Sequence, residues 1–544
     1  MRLKYILVGL IFFVWGQVHA QNTSIDNLNK ASFEDFRSKN PYIFLTKDQV
    51  HRQANLKNVP IYLELEGGDV AELQYFDELG DPVYYQIFNV RAAKITGTSA
   101  LQPNGELNLN LTGKGMTVGI YDQTRPKPDH VEFSGRLTQI DGSTETISNH
   151  ATHVSGTVLA AGINPAARGM AYEATGWSFN WESDLSKMNA NAYDPVSKPN
   201  GHLVSNHSYG LVVGWYRNSS GNWTWAGNTS ISTSKDYRFG FYGAKSKGLD
   251  DLAVSKPYYT IVWAAGNDRN DTGDGTRDPD GPEDTIGPEG VAKNVITVGA
   301  VSANDEYSGP QSVFMSDFSS WGPTDDGRIK PDLVGVGVNV FSSAISNGGT
   351  TDSYASLSGT SMAAPNVTGS LLLLQQLYSD RNSGRFMRSS TLKALAINTT
   401  REAGSAAGPD YVYGWGLLNT HAAADIILNE NGNSDIIREE VLTNGGEFEY
   451  EFLSDGVTPI RLTVAWIDPS GNPVSPSLNP ANLMLINDLD VRVIDEQGNT
   501  FFPWSLNPQS GPNGPAVRDR DNFRDNVEQI QIDAPKAQRY RLKI

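Results

Sequence analysis

The sequence predicts a chain of three parts: an α/β domain on a mainly parallel sheet, a small strand-bearing region ahead of it and an all-β sandwich behind it. Three observations carry this. Between about residues 96 and 430, short β-branched runs alternate with helical patterns, as strands buried on both faces and joined by helices require. Ahead of them, apolar alternation surrounds Gly67-Gly68, as in a hairpin. After about Asn429, alternating strands recur with turn residues and no helical period, as in a sandwich.

The elements follow in order. Arg2 and Lys4 lead into the apolar stretch Tyr5 to Trp15, and Val18-His19-Ala20 puts a small residue before Gln21. That order reads as a secretory signal peptide over residues 1–20, cut after Ala20. No other stretch approaches the roughly 18 unbroken apolar residues of a membrane span. The expected product is therefore soluble, without membrane insertion, and secreted or at the cell surface. In residues 21–95, Val59 to Glu66 and Val70 to Phe76 flank the glycine pair, and Val83 to Asn89 follow Gly80-Asp81-Pro82.

Within residues 96–430 the buried strands are Thr117 to Ile120, His202 to Ser205, Thr260 to Trp263 and Val295 to Val298. Three of them run at their C-terminal ends into candidate site residues, which is where open α/β sheets place ligands. A helix is expected to start near Ser361, exposing that hydroxyl, with Pro365 in its first turn and an apolar stripe of Val367, Leu371, Leu374 and Tyr378. Residues 431–544 supply Phe448 to Phe452, Ile460 to Trp466, Leu489 to Ile494, Gln529 to Ile532 and Tyr540 to Ile544. The chain stops inside the last of these, which leaves open a missing C-terminal segment.

Composition narrows the function. The 544 residues exceed one compact core. With 43 Lys and Arg against 61 Asp and Glu, the formal charge is −18, which argues against nucleic acid and anionic membranes as partners. There is no cysteine, so disulfides, thiol nucleophiles and thiolate metal sites are excluded together.

Chemistry concentrates at three places. Asp122 ends a strand, His150 opens His150-Ala151-Thr152-His153-Val154, and Ser361 lies in Gly359-Thr360-Ser361-Met362-Ala363. Singly, an Asp or Ser at such a position reads as a cap. In this order they form a triad in which a carboxylate fixes an imidazole, the imidazole deprotonates a serine and the serine attacks a carbonyl. His153, one helical turn past His150, reads as a packing or hydrogen-bonding residue.

These segments, with Ala264-Ala265-Gly266-Asn267, resemble the subtilisin-like serine proteases over roughly Leu107 to Leu428. The resemblance implies Asp122, His150 and Ser361 as catalytic residues and Asn267 as oxyanion-hole donor. It also implies substrate-binding roles for Ser208, Tyr209 and Gly210, an edge that pairs with extended peptide, and for Ala265 and Gly266, a pocket wall. Two departures stand out: Gln123 follows Asp122 where the family has Ser or Thr, and Ala151 replaces a glycine.

By position, residues 21–95 are similar to the family's removable propeptide; the other reading is a retained β domain. Residues 431–544 resemble the jelly-roll sandwich of one branch. Thus the expected fold is an α/β subtilisin-like domain with a mainly parallel sheet, a propeptide-like region before it and a jelly-roll sandwich after it. The family commonly binds calcium, an oxygen-seeking cation, and Asp488, Asp490, Asp519, Asp521 and Asp525 are its candidate ligands; for the acidic loop Asp268 to Asp280, a cation site and a solvated loop stay equally open. The expected function is secreted serine endopeptidase acting on protein or peptide substrates through an acyl-enzyme, in an oligomeric state the sequence leaves open. The alternative is an inactive extracellular binding protein on the same fold, supported by Gln123 and the sandwich.

Overall fold

The computed structural model describes residues 4–10, 42, 45, 47–64, 70–87, 93–302, 307–345, 350–430, 436–511 and 514–544. The first element is β1 (Lys4–Leu10), within the predicted leader. Next come α1 (Lys47–Lys57), β2 (Tyr62–Glu64), β3 (Val70–Phe76) and β4 (Pro82–Ile87). β2 and β4 both pair antiparallel with β3; the predicted Gly67-Gly68 turn lies outside the described residues. Tyr75 and Val83 are buried in one cluster with Tyr209, Leu211 and Trp263 of the central domain.

The central domain begins with β5 (Thr117–Asp122), β6 (Leu137–Gln139), α2 (Asn149–Leu159), β7 (Thr175–Asn180), α3 (Asp184–Asn191), β8 (Val204–His207) and β9 (Tyr209–Leu211). A small hairpin, β10 (Trp215–Arg217) and β11 (Trp223–Trp225), precedes α4 (Ala244–Ser255), β12 (Thr260–Ala264) and β13 (Ile296–Ser302). Then follow β14 (Phe314–Met315), β15 (Leu333–Val336), β16 (Val340–Ala344) and β17 (Ser353–Leu357). Three helices close the domain: α5 (Thr360–Arg381), α6 (Ser389–Asn398) and α7 (Thr420–Asn429).

The sheet runs β14-β13-β12-β8-β5-β7-β6, with β15 also on β13. All its pairings are parallel except β13 with β14. β8 and β12 are buried at every residue; β12 therefore reads as the unbroken run Thr-Ile-Val-Trp-Ala rather than an alternating one, whereas β8 buries Ser205, Asn206 and His207 in hydrogen bonds. From β5 the chain builds outward to β7 and β6; from β8 it builds the other way to β12 and β13. The carboxyl ends of β5 and β8 therefore flank the point where strand order reverses, the place for a site in such a sheet.

The helix carrying Ser361 differs from its predicted one-sided stripe. Val367, Leu371, Leu372, Leu373 and Leu374 are all buried, because α5 packs on β8, β12, β13 and β15 and is covered by α2 and α7. It also starts at Thr360, so Pro365 lies beyond the first turn. Proline has no N–H for the carbonyl four residues back, and the Ser361 carbonyl accepts instead from Ser208 Oγ.

The C-terminal region has β18 (Ile436–Glu440), β19 (Glu449–Leu453), β20 (Ile460–Trp466), β21 (Arg492–Asp495), β22 (Thr500–Phe501), β23 (Val527–Ile532) and β24 (Arg539–Lys543). They form two four-stranded sheets, β18-β1-β20-β23 and β19-β24-β21-β22, whose residues share a core that includes Ile436, Phe452, Leu462, Val464, Val493, Ile530 and Leu542. β1 thus takes an interior place in a sheet, which periodicity alone did not suggest. The join to the central domain is polar and buried. Lys293 Nζ donates to the Asp468 carboxylate and to the carbonyls of Pro469 and Met484. Asp525 Oδ1 accepts from Ile329 N–H at 2.8 Å, and Asp468 N–H donates to Asn294 Oδ1 at 2.9 Å.

Candidate active site

Asp122 is the last residue of β5 and is 1 % exposed. Its carboxylate oxygens lie 2.9 and 2.8 Å from His150 Nδ1. The imidazole comes from the first turn of α2, whose start is fixed by Ser148 capping the Ala151 N–H. Gln123 does not disturb the carboxylate: its backbone N–H donates to Asp122 Oδ1 at 2.8 Å, a contact any residue but proline would make. Ala151 is fully buried in α2, where a methyl group is accommodated.

Ser361 sits in the first turn of α5, which packs on α2. The hydroxyl is buried rather than exposed, because it is turned inward to donate to the Ser208 carbonyl at 3.0 Å. Ser208 is held in turn by Asn206 Nδ2 at 2.9 Å, and Asn206 Oδ1 accepts from Thr368 Oγ1 of α5. The strand end β8 and the helix start are thereby locked together.

Asn267 follows β12. Its Oδ1 accepts from the Thr360 N–H and from Thr360 Oγ1, both at 3.0 Å. A backbone N–H can only donate, so Oδ1 must face Thr360 and Nδ2 must face away from it. Gly266 makes this approach with φ of 111°, and a Cβ there would lie 2.8 Å from Asp268 Oδ2 and 2.9 Å from Ser320 Oγ. Its N–H donates to Thr360 Oγ1 at 3.2 Å. Ala265, the other predicted wall residue, is 2 % exposed and donates its N–H to the Val298 carbonyl at 3.0 Å.

The predicted substrate edge carries a strand. β9 pairs antiparallel with β4, in the register Tyr85↔Leu211, Gln86↔Gly210 and Ile87↔Tyr209. Only backbone is offered there by Tyr209, whose buried side chain donates to Asp184 Oδ2 at 2.8 Å and bonds His207 Nδ1 at 3.0 Å. His153 bonds the Ala355 carbonyl through Nε2 at 3.1 Å, and burial pushes its pKa down to about 3. It is a neutral structural residue.

The acidic loop turns carboxylates inward. Asp268 accepts from Ser320 Oγ, and Asp280 Oδ2 accepts from the Trp215 N–H at 2.7 Å. Burial, with mutual repulsion for the last two, pushes Asp268 up to about 7, Asp271 to about 8 and Asp280 to about 10.

Of the five predicted metal ligands, the structure gathers three. Asp490 and Asp521 share Arg492 Nη2, each at 3.0 Å, and Asp488 is pushed up to about 6 by burial and by both of them. Asp519 is exposed on Arg520, and Asp525 binds the Ile329 N–H and Asn522; both are engaged elsewhere. Glu528, which sequence reasoning passed over although it lies in Asp525-Asn526-Val527-Glu528, is buried beside the cluster. Its Oε2 accepts from Val491 N–H, Oε1 has no partner, and burial raises its pKa far above the ordinary range. Among the described residues, no group of three or more His, Cys, Asp or Glu is placed so that it could hold a metal ion. Nor is any described helix long and apolar enough to cross a membrane.

Residues 113–416 match the Subtilase family. A Dictyostelium discoideum protein, Serine protease/ABC transporter B family protein tagD, is 23% identical over 575 residues, covering 77% of this chain and 30% of its own length. Its relative tagA is 28% identical over 251 residues, 40% of this chain and 14% of that one. The C5a peptidase of Streptococcus pyogenes is 52% identical over 64 residues, 12% of this chain and 5% of the peptidase. The chain thus spans less than a third of the length of these relatives. Among solved structures, the CspB protease of Clostridium perfringens aligns with a TM-score of 0.45 at 19% identity, over 61% of this chain and 99% of that one.

Proposed function

We propose, from the premise that the chain belongs to the subtilase family, that it is a secreted serine endopeptidase cleaving proteins or peptides through an acyl-enzyme. The observation that carries this is the Asp122 carboxylate held 2.8 Å from His150 Nδ1. That contact fixes the proton on Nδ1, leaves the Nε2 lone pair for a hydroxyl, and stabilises the imidazolium that forms.

The Ser361 hydroxyl leaves the Ser208 carbonyl, gives its proton to His150 and attacks the scissile carbonyl carbon. The oxyanion is received by Asn267 Nδ2, aimed by Thr360, and by the Ser361 N–H. His150 returns the proton to the leaving amine, then activates the water that hydrolyses the ester. The inactive alternative drew on Gln123 and the sandwich; the Gln123 backbone N–H donates to Asp122 Oδ1, which favours the catalytic reading over it.

Residues 21–95 act in this reading as a propeptide whose β4 covers the β9 edge until it is removed; extended substrate then pairs there by strand addition. The C-terminal region is assigned to the jelly-roll class. Calcium is its proposed ion, with Asp488, Asp490 and Asp521 gathered about Arg492 and the unpartnered Glu528 Oε1 beside them as the oxygen donors.

The test is Ser361→Ala. Turnover of casein should fall by about 10⁶, the loss subtilisin shows, and an active-site phosphonate should label the native chain alone. A folded Ser361→Ala protein that proteolyses undiminished overturns the assignment.

A further inference from the structure

We propose that Trp263 is a positioning residue for substrate: its indole N–H, donating to the Tyr209 carbonyl at 2.7 Å, holds the β9 edge where an extended peptide must pair. This rests on reading β9 as the substrate edge. Successive residues of a strand turn their N–H and C=O groups to opposite sides. Val212 N–H donates outward to the Tyr84 carbonyl, and Gly210 pairs with Gln86 in the same register. A substrate in the place of β4 would therefore use the backbone of Gly210 and Val212. The Tyr209 carbonyl faces the other way, into the domain, and Trp263 meets it there.

Neither end of that bond is free to drift. Trp263 stacks on His207 with 4.4 Å between ring centroids and 4° between planes, His207 on Tyr121 at 4.7 Å, and Tyr121 on Phe179 at 4.5 Å. These rings stand at paired positions on β12, β8, β5 and β7, and none is more than 1 % exposed. Side chains packed this closely hold one arrangement. At the other end the Tyr209 hydroxyl donates to Asp184, whose carboxylate also takes Lys245 Nζ, and it bonds His207 Nδ1. The edge and the stack are closed into one unit.

Trp263 also joins the edge to the chemistry. Its strand runs on to Asn267, Tyr121 immediately precedes Asp122, and Tyr209 follows Ser208, whose carbonyl takes the Ser361 hydroxyl. β9 has three residues and, among the described strands, pairs only with β4. Once β4 leaves, the bond from Trp263 remains as an inward tie on its backbone. A buried carbonyl is not left unpaired, so removing the indole N–H should let β9 shift until Tyr209 finds another donor, and the shift misplaces Gly210 and Val212 against Ser361. The penalty depends on substrate length. Two residues of extended chain span about 6.8 Å, so a peptide must continue along the edge to reach both Gly210 and Val212, whereas a single-residue ester presents little more than the bond that is cut.

The experiment compares Trp263→Phe, which keeps a ring and loses the N–H, with the native chain on a single-residue ester and on chromogenic peptides of two and four residues. The native kcat/KM should rise with length. In Trp263→Phe the four-residue peptide should lose about fivefold more than the ester, the worth of one neutral hydrogen bond, and the loss should lie in KM. If that variant folds poorly, Tyr209→Phe, which frees the same edge from Asp184 and His207 while keeping its ring, should show the same length-dependent rise in KM. Equal losses on ester and peptide in the variant tested, or no loss on either, overturn the positioning role. A native chain whose kcat/KM ignores length overturns the edge reading itself, and the proposal with it.

Discussion

Thr360 is the residue through which the oxyanion donor can be detuned without being removed. Thr360→Val deletes one of two bonds to Asn267 Oδ1, the hydroxyl contact at 3.0 Å, and leaves the backbone contact at 3.0 Å. A neutral hydrogen bond is worth about 1 kcal/mol, and 1.36 kcal/mol is a factor of ten in rate. If that bond serves only to aim the amide, kcat falls about fivefold with KM unchanged. Asn267→Ala removes the donor itself and should cost about 10²–10³, the range subtilisin shows. Because Thr360 acts through Asn267, Thr360→Val in the Asn267→Ala background should change kcat less than about twofold. Thr360→Ser keeps the hydroxyl and should behave as the native chain. The assay is kcat and KM on a chromogenic peptide, with the unfolding midpoint beside it, since the Gly266 N–H also loses its acceptor. An equal fivefold loss in both backgrounds refutes the aiming role.

Two further outcomes follow from charge. Asp268, Asp271 and Asp280 hold protons in the folded chain up to about pH 7, 8 and 10, whereas unfolded carboxyls lose them near pH 4. The folded state binds more protons across that window, so stability should fall as pH rises through it. Denaturant midpoints at pH 6 and 9 should show the drop, and Asp271→Asn should shrink it by an amount on the order of a kcal/mol or more. Chelator should lower the thermal midpoint if a cation sits among Asp488, Asp490, Asp521 and Glu528, and Glu528→Gln should abolish that sensitivity; a native midpoint indifferent to chelator counts against the ion.

Much of the central fold was legible because β12 and β13 are buried along nearly their whole length and spell it in apolar and β-branched residues. The meeting of Asp122 with His150 was legible because the motifs put one at a strand end and the other at a helix start, where the sheet brings them together. What escaped was set by contacts distant in sequence. The α5 stripe was underestimated because layers cover the helix on two sides. Ser361 was expected to be exposed, since nothing near it announces that Ser208 receives its hydroxyl. Tyr209 was placed at a substrate edge, and its ring belongs to a buried network with His207 and Asp184. Asp519 and Asp525 share the composition of a ligand set, yet one faces Arg520 and the other holds backbone.

The buried junction built from Lys293, Asn294, Asp468 and Asp525 has a mechanical meaning. It is a weld rather than a tether. The sandwich is carried at a fixed distance and bearing from Ser361, and a load placed on one body passes into the other through buried side chains rather than through a linker.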